Sequence, residues 1–240
     1  MPSQCSVCRT GGTARVCSAC TGQFAQFQTR CSTCALRMPQ PLAGTPLRCG
    51  ECLRTPGSLH ACWAAVDYGY PWDTLLAQLK FQGGKGLGSA GPGADPAVAR
   101  ALADIMAAHS GIASALLHAS LVIPIPLSYE RLRQRGFNQA LELGKHLLGS
   151  TALRAKLRPD LLLRTRDTAP QMGLARAQRL RNLQHAFAVE PALAHQIQGA
   201  QVVLVDDVTT TTATLCAAAL ALRAAGAAQV VGVVFARTAA

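Results

Sequence analysis

Residues 202–214 read Val202-Val203-Leu204-Val205-Asp206-Asp207-Val208-Thr209-Thr210-Thr211-Thr212-Ala213-Thr214. The first four are apolar and mostly β-branched, which predicts a buried strand. Two carboxylates and a hydroxyl-rich turn follow. The Ala/Leu-rich run from Leu215 to Ala225 then predicts a helix, stopped by Gly226. Val230 to Phe235 supplies the next strand. A strand–loop–helix–strand unit of this length is a parallel crossover, so the loop lies at the carboxyl edge of an open sheet, where ligands bind. The expected class is α/β, a mostly parallel sheet with helices on both faces.

The side chains of that loop define its ligand. Backbone N–H groups and the helix dipole at Ala213 favour an anion. The hydroxyls of Thr209, Thr210, Thr211, Thr212 and Thr214 can donate to phosphate oxygens. Asp206 and Asp207 repel a bare phosphate, so at an exposed sheet edge they must face sugar hydroxyls or a hard cation such as Mg²⁺. Phosphate, sugar and Mg²⁺ together describe a phosphorylated ribose. A plain surface turn with Thr212 capping the helix is also expected here, but capping leaves two carboxylates at a strand end without a reason.

The run Asp206 to Thr214 resembles the phosphoribosyl pyrophosphate (PRPP) loop of type I phosphoribosyltransferases. That loop has two acids, two variable or apolar residues, Thr-Thr-Gly, one residue and then Thr. One position departs from it: Thr212 stands where the family has Gly. Glycine lets backbone approach the phosphate closely. A β-branched residue there either obstructs that approach or lends a hydroxyl in place of a water.

Eight of the ten cysteines form four Cys-x-x-Cys pairs: Cys5/Cys8, Cys17/Cys20, Cys31/Cys34 and Cys49/Cys52. Eight residues separate the first two pairs and fourteen the last two. Two such turns complete a tetrahedral four-thiolate site, so two structural zinc ions are expected. The segment is poor in aliphatic residues and needs metal to fold. Sequential pairing closes the shortest loops, with crossed pairing left open. A disulfide framework needs an oxidising compartment, and a redox motif occurs once beside a βαβ unit, not four times in succession. Cys62 and Cys216 read as packed thiols. Residues 1–62 are thus expected to form a double zinc-ribbon module and residues 63–240 the α/β domain.

The net charge of +11 is unevenly placed. Residues 1–62 hold six Arg against Glu51, and residues 131–181 hold twelve Lys/Arg against Glu142, Asp160 and Asp167. Such a field suits pyrophosphate, nucleic acid or both. Mean hydropathy is positive, yet no stretch approaches the ~20 apolar residues that span a bilayer. No membrane insertion is expected. The start shows neither a basic nor an apolar signal region, so a cytoplasmic protein is expected.

Between the two ends, Trp63 to Tyr70 reads as a strand. Pro71 opens a helix, Trp72 to Lys80, with Trp72, Leu75, Leu76 and Leu79 on one face. A Gly-rich loop runs from Gln82 to Pro96, and a helix runs from about Pro96 to His109 with Val98, Leu102, Ile105 and Met106 inward. His109 and His118 are expected to be solvated. Leu121 to Leu127 reads as a strand ended by its prolines. Arg131, Arg133 and Arg135, at alternate positions after a turn, gather charge at one sheet edge, where Arg forks onto phosphate. Leu161 to Arg164 is strand-like, followed by polar sequence with Arg166, Arg176, Arg179 and Arg181.

The order of these pieces resembles the ComF family over nearly the whole chain. The matching motifs are Lys80-Phe81, Pro124-x-Pro126-Leu127, Arg131, Arg135-Gly136-Phe137-Asn138-Gln139, and Arg164-Thr165-x-x-Thr168-x-x-Gln171-x-x-Leu174 with Arg179, Asn182 and Phe187. Two functions follow from the resemblance. One is enzymatic: PRPP with its 5′-phosphate on Thr210 to Thr214, its ribose hydroxyls at Asp206 and Asp207, Mg²⁺ on the pyrophosphate, and Lys80, Arg131 and Arg135 nearby. The segment from Arg166 to Arg181 then resembles the basic loop that closes over pyrophosphate. No general base and no acceptor pocket is legible. The other is a binding role in natural competence, DNA uptake or DNA utilisation, in which zinc module and basic surface contact single-stranded DNA or a partner such as a helicase.

Overall fold

The computed structural model describes residues 4–40, 47–55, 57–80, 96–149, 151–165 and 186–239. The Gly-rich stretch up to residue 95 and the basic segment with Arg166, Arg176, Arg179 and Arg181 lie outside the described residues. So do Phe81, Thr168, Gln171, Leu174 and Asn182.

Two cysteine knuckles open the fold, and they are copies of one another. In each, the residue after the second cysteine takes a positive φ, Arg9 at 65° and Ala35 at 56°. Its N–H closes the turn onto the first cysteine's carbonyl, Cys5 at 3.0 Å and Cys31 at 2.9 Å. Each third cysteine, Cys17 or Cys49, then precedes a short helix: α1 (Ser18–Phe24) or α2 (Gly50–Arg54). The fourth cysteine of each set, Cys20 or Cys52, is buried on that helix.

The α/β part is a four-stranded parallel sheet. Its strands are β1 (Ala61–Asp67), β2 (Leu121–Pro124), β5 (Gln201–Thr209) and β6 (Gln229–Arg237), in the order β1-β6-β5-β2. Alternation along each strand feeds two apolar layers. Val66, Val122, Val203, Val205, Val233 and Phe235 face a layer with α3 (Trp72–Lys80), α4 (Pro96–Ala107), α5 (Ser110–His118) and α7 (Gln139–Leu147). Ala64, Ile123, Val202, Leu204, Val230 and Val234 face the other, with α9 (Ala213–Ala224). That second layer also holds the 3-10 helix Pro191–Ile197 and a small antiparallel pair, β3 (Leu162–Arg164) with β4 (Phe187–Val189). A surface helix, α6 (Tyr129–Arg135), and a short α8 (Thr151–Arg154) complete the described elements.

The predicted faces of α3 and α4 are the buried ones: Trp72, Leu75, Leu76 and Leu79 on the first, Val98, Leu102, Ile105 and Met106 on the second. Three expectations need correction. His109 is not solvated: its ring accepts from Gly111 N–H at 3.2 Å as the N-cap of α5, between Trp63 and Phe27. Arg131, Arg133 and Arg135 are not on an extended segment but on α6, which Ser128 caps. At helical period Arg131 and Arg135 share a face, while Arg133 lies with Tyr129, 5.7 Å over its ring. The strand before the loop also runs past Val205 to Thr209, so both carboxylates are strand residues.

Candidate phosphate and ribose site, and two four-cysteine centres

β2 and β5 are parallel neighbours whose connections leave for opposite faces, α7 on one layer and α9 on the other. Such a reversal opens a crevice beyond the carboxyl ends of the two strands. The structure brings Lys80, Arg135, Asp206 and Asp207 together at that sheet edge from three elements. Lys80, the last residue of α3, sets Nζ 3.0 Å from Asp207 Oδ2 in an ion pair. Arg135 ends α6, where Gly136 at φ 78° reverses the chain. Its Nη1 donates to Gln139 Oε1 at 2.8 Å. Burial lowers the Arg135 pKa, Asp207 and Asp206 raise it and Arg131 lowers it, so all four charges act within one field.

The two carboxylates differ. Alternation turns them to opposite sides of β5. Asp207 is buried against Lys80, whereas Asp206 is half-buried. Burial first, and the Asp207 carboxylate second, push the Asp206 pKa up to about 7. The expectation of a freely exposed pair therefore fails: the strand continues through both positions and packs them. Gln139, 1% exposed, was named from sequence only within a family motif, with no role of its own. It anchors Arg135 across the break at Gly136, the two residues standing four apart but on different helices. Asn138 beside it caps α7 through Ala140 and Leu141 N–H groups, and its Nδ2 donates to Ile125 O at 3.0 Å. That bond ties α7 to the end of β2.

The threonine turn is built differently from the capping expectation. Thr212 is the N-cap of α9 by position, but its side chain makes no capping bond. Instead Thr209 Oγ1 accepts from Thr212 N–H at 3.0 Å, and Thr212 Oγ1 donates to Thr211 O at 2.6 Å. Thr210 is exposed and Thr211 and Thr214 are half-buried, while Thr209, Thr212 and Ala213 are buried. Thr212 has φ 57° and ψ 6°, a left-handed conformation that favours Gly and penalises a β-branched residue by about 1–2 kcal/mol. Thr212→Gly should therefore raise stability by up to about 1 kcal/mol, since the strain removed outweighs the chain entropy lost. A thermal melt checks this, and a lower Tm in the Gly variant would contradict it.

The cysteines converge in sequential pairing. Cys5, Cys8, Cys17 and Cys20 form one group and Cys31, Cys34, Cys49 and Cys52 the other, with sulfurs within 4.8 Å of one another. Four sulfurs at ~2.3 Å from one ion have edges of about 3.8 Å. Cys5–Cys20 is 3.9 Å, Cys8–Cys17 3.7 Å and Cys34–Cys49 3.7 Å. Backbone N–H groups of Cys17 and Cys49 point at Cys5 and Cys31 Sγ, both at 3.3 Å, as thiolates require. Both groups fit structural zinc. Cys62 stays outside them, its pKa pushed up to about 12 by burial.

Among the described residues no helix is long and apolar enough to cross a membrane. No protein-family model matches the chain. The chain is 33% identical over 233 residues to the DNA utilization protein YhgH of Shigella flexneri, covering 96% of this chain and 95% of that protein. To the protein of the same name from Escherichia coli strain K12 it is 32% identical at the same coverage. Competence protein F of Haemophilus influenzae is 29% identical over 204 residues, 83% of this chain and 80% of that protein.

Proposed function

Because this chain belongs to the ComF family, we propose that it acts in DNA utilisation, and that it does so by binding PRPP with Mg²⁺ at the Asp206–Thr214 loop. The observation that carries the ligand is the convergence of Lys80, Arg135, Asp206 and Asp207 at one crevice beside the start of α9. Three roles divide among these groups. The threonine turn and the first turn of α9 take the 5′-phosphate through N–H and hydroxyl donors. Asp206 and Asp207 accept from ribose hydroxyls. Arg135 and Arg131 neutralise pyrophosphate, whose Mg²⁺ supplies the remaining positive charge. Lys80, freed from Asp207 when a sugar takes the carboxylate, adds a further cation. Binding calorimetry with PRPP, with and without Mg²⁺, tests this reading directly. Micromolar, Mg²⁺-dependent binding is expected, and the absence of any heat with both PRPP and ribose 5-phosphate would overturn it.

For DNA, α6 offers a surface as well as a site. Its outer face carries Tyr129, 72% exposed, with Arg133 over the ring and Leu132 beside it. An exposed ring next to phosphate-binding arginines suits a base of a single strand. Stacking is worth about 1–3 kcal/mol per base, so Tyr129→Ala should weaken single-stranded DNA binding roughly tenfold. Arg133→Glu should flatten the salt dependence by about one counterion. Fluorescence anisotropy across a salt series measures both. Unchanged affinity in both variants would remove α6 from the DNA surface.

A further inference from the structure

The two four-cysteine centres occupy different places on the sheet. Around the first, Cys5, Val16 and Cys20 pack into the layer of α3 and α4. The second knuckle instead hands its backbone carbonyls to the strands. Cys62 N–H donates to Ser32 O at 2.9 Å, Arg237 Nε to Cys34 O at 3.1 Å, and Arg30 Nη1 to Ala35 O at 3.2 Å. Arg30 also pairs with Asp67 at 2.7 Å. Asp67, Arg237 and Thr209 end β1, β6 and β5, and they stand in register across the sheet edge.

From Arg237 the contacts continue to the threonine turn. Its Nη1 donates to Thr238 O at 2.5 Å, and Thr238 N–H donates to Thr209 O at 3.1 Å. Thr209 Oγ1 accepts from Thr212 N–H. A second route reaches the same residue from the chain segment that follows α2, the helix carrying Cys52: Ser58 Oγ donates to Cys216 O at 2.7 Å, and Cys216 N–H to Thr212 O at 2.8 Å. Both routes converge on Thr212, the residue held in the strained conformation.

We propose that Arg237 is a positioning residue that makes the second zinc centre and the threonine turn one coupled unit. The proposal rests on the reading of that turn as a phosphate site. Zinc fixes the Cys34 turn, and its carbonyl fixes a guanidinium only 5% exposed. That planar fork holds the knuckle and the strand end at once. The strand end in turn sets the Thr209 hydroxyl that holds Thr212. Linkage is reciprocal: if this zinc orders the turn for an anion, an anion on the turn slows the loss of this zinc. The first centre, packed on the other layer, is the internal control.

The test uses the full, zinc-loaded chain and ribose 5-phosphate, which brings the phosphate without a zinc-chelating pyrophosphate. Zinc release to a chromogenic chelator is followed, and cysteine labelling with mass spectrometry assigns each phase to its centre. Saturating ribose 5-phosphate should slow release from Cys31, Cys34, Cys49 and Cys52 about fivefold or more, and leave the other phase unchanged. Arg237→Gln should abolish that protection, and Arg237→Lys should keep part of it. Ser58→Ala cuts the second route without disturbing the buried cation, and should reduce protection even if Arg237→Gln folds poorly. Binding of ribose 5-phosphate with both phases unaffected overturns the coupling. If neither ribose 5-phosphate nor PRPP binds, the phosphate reading itself falls. Amide exchange over residues 209–214 then decides the coupling: it must quicken when the second zinc leaves, and unchanged exchange overturns it.

Discussion

Replacing Cys31 and Cys34 with Ser should cut zinc content from two ions per chain to one and unfold more than the knuckle. A structural zinc of this kind contributes binding energy on the order of 10 kcal/mol to folding. A domain's whole stability is about 5–15 kcal/mol, so that loss cannot be absorbed elsewhere. The damage should spread because Ser32, Cys34 and Ala35 carbonyls are acceptors for Cys62, Arg237 and Arg30, all of which join the knuckle to strands. Arg237 and Arg30, both buried, would be left with fewer acceptors. The matched change at Cys5 and Cys8 should also release one zinc, but it disturbs the layer of α3 and α4 and spares the carboxyl edge of the sheet. Cys62→Ser and Cys216→Ser should each keep both ions. Elemental analysis and circular-dichroism melts measure these outcomes. One zinc or none in the freshly reduced parent would refute the double centre.

The contrast between the two knuckles also shows where sequence stops being informative. Cysteine spacing and loop entropy are local, and they lead to sequential pairing, which the clustered sulfurs bear out. What each knuckle leans on is not local. Nothing in the spacing of Cys31 and Cys34 announces Arg237, two hundred residues away in the chain, or Arg30 closing on Asp67. The central crossover was legible because four apolar residues, a polar turn and an Ala-rich run each carry one period. Its edge was not: two adjacent acids lower strand propensity, so the strand seemed to end at Val205, whereas pairing to β6 carries it to Thr209.

Short helices were the other gap. Alternate Arg at positions 131, 133 and 135 looks like a strand face, yet Ser128 before them and Glu130 in the first turn are helix-start signals. The segment that became α5 is small-residue rich, and its cap is a histidine, an unusual choice that the N-cap preferences do not flag. Lys80, Arg135, Asp206 and Asp207 could be named from sequence, but the electrostatics of their grouping could not. Burial makes Asp207 a partner for Lys80 and moves Asp206 toward neutrality, and burial is a property of the fold.

That difference sharpens the test of the two carboxylates. Asp206→Asn with Asp207→Asn should weaken PRPP binding roughly 100-fold or more at constant Mg²⁺, since hydrogen bonds to charged groups are worth about 1.5–3 kcal/mol each. For a simple phosphate turn the sign is opposite, because removing two negative charges near an anion strengthens binding. The fold should survive the change. Asn at position 206 copies the protonated acid, and Lys80, partly exposed, can turn toward water when Asp207 loses its charge. Stability against pH then separates the two residues. Asp206 has a folded pKa of about 7, raised from 3.8 by burial and by Asp207. The folded state therefore holds its proton longer than the unfolded state, and stability falls as pH rises between those two values. Asp206→Asn should flatten that fall, leaving stability near pH 4 nearly unchanged and raising it near pH 8. Denaturant melts at the two pH values measure it. A single Asp206→Asn chain that keeps the parent's slope would show that the carboxyl is ionised throughout, and a double variant that binds PRPP as well as the parent would remove the ribose from this loop.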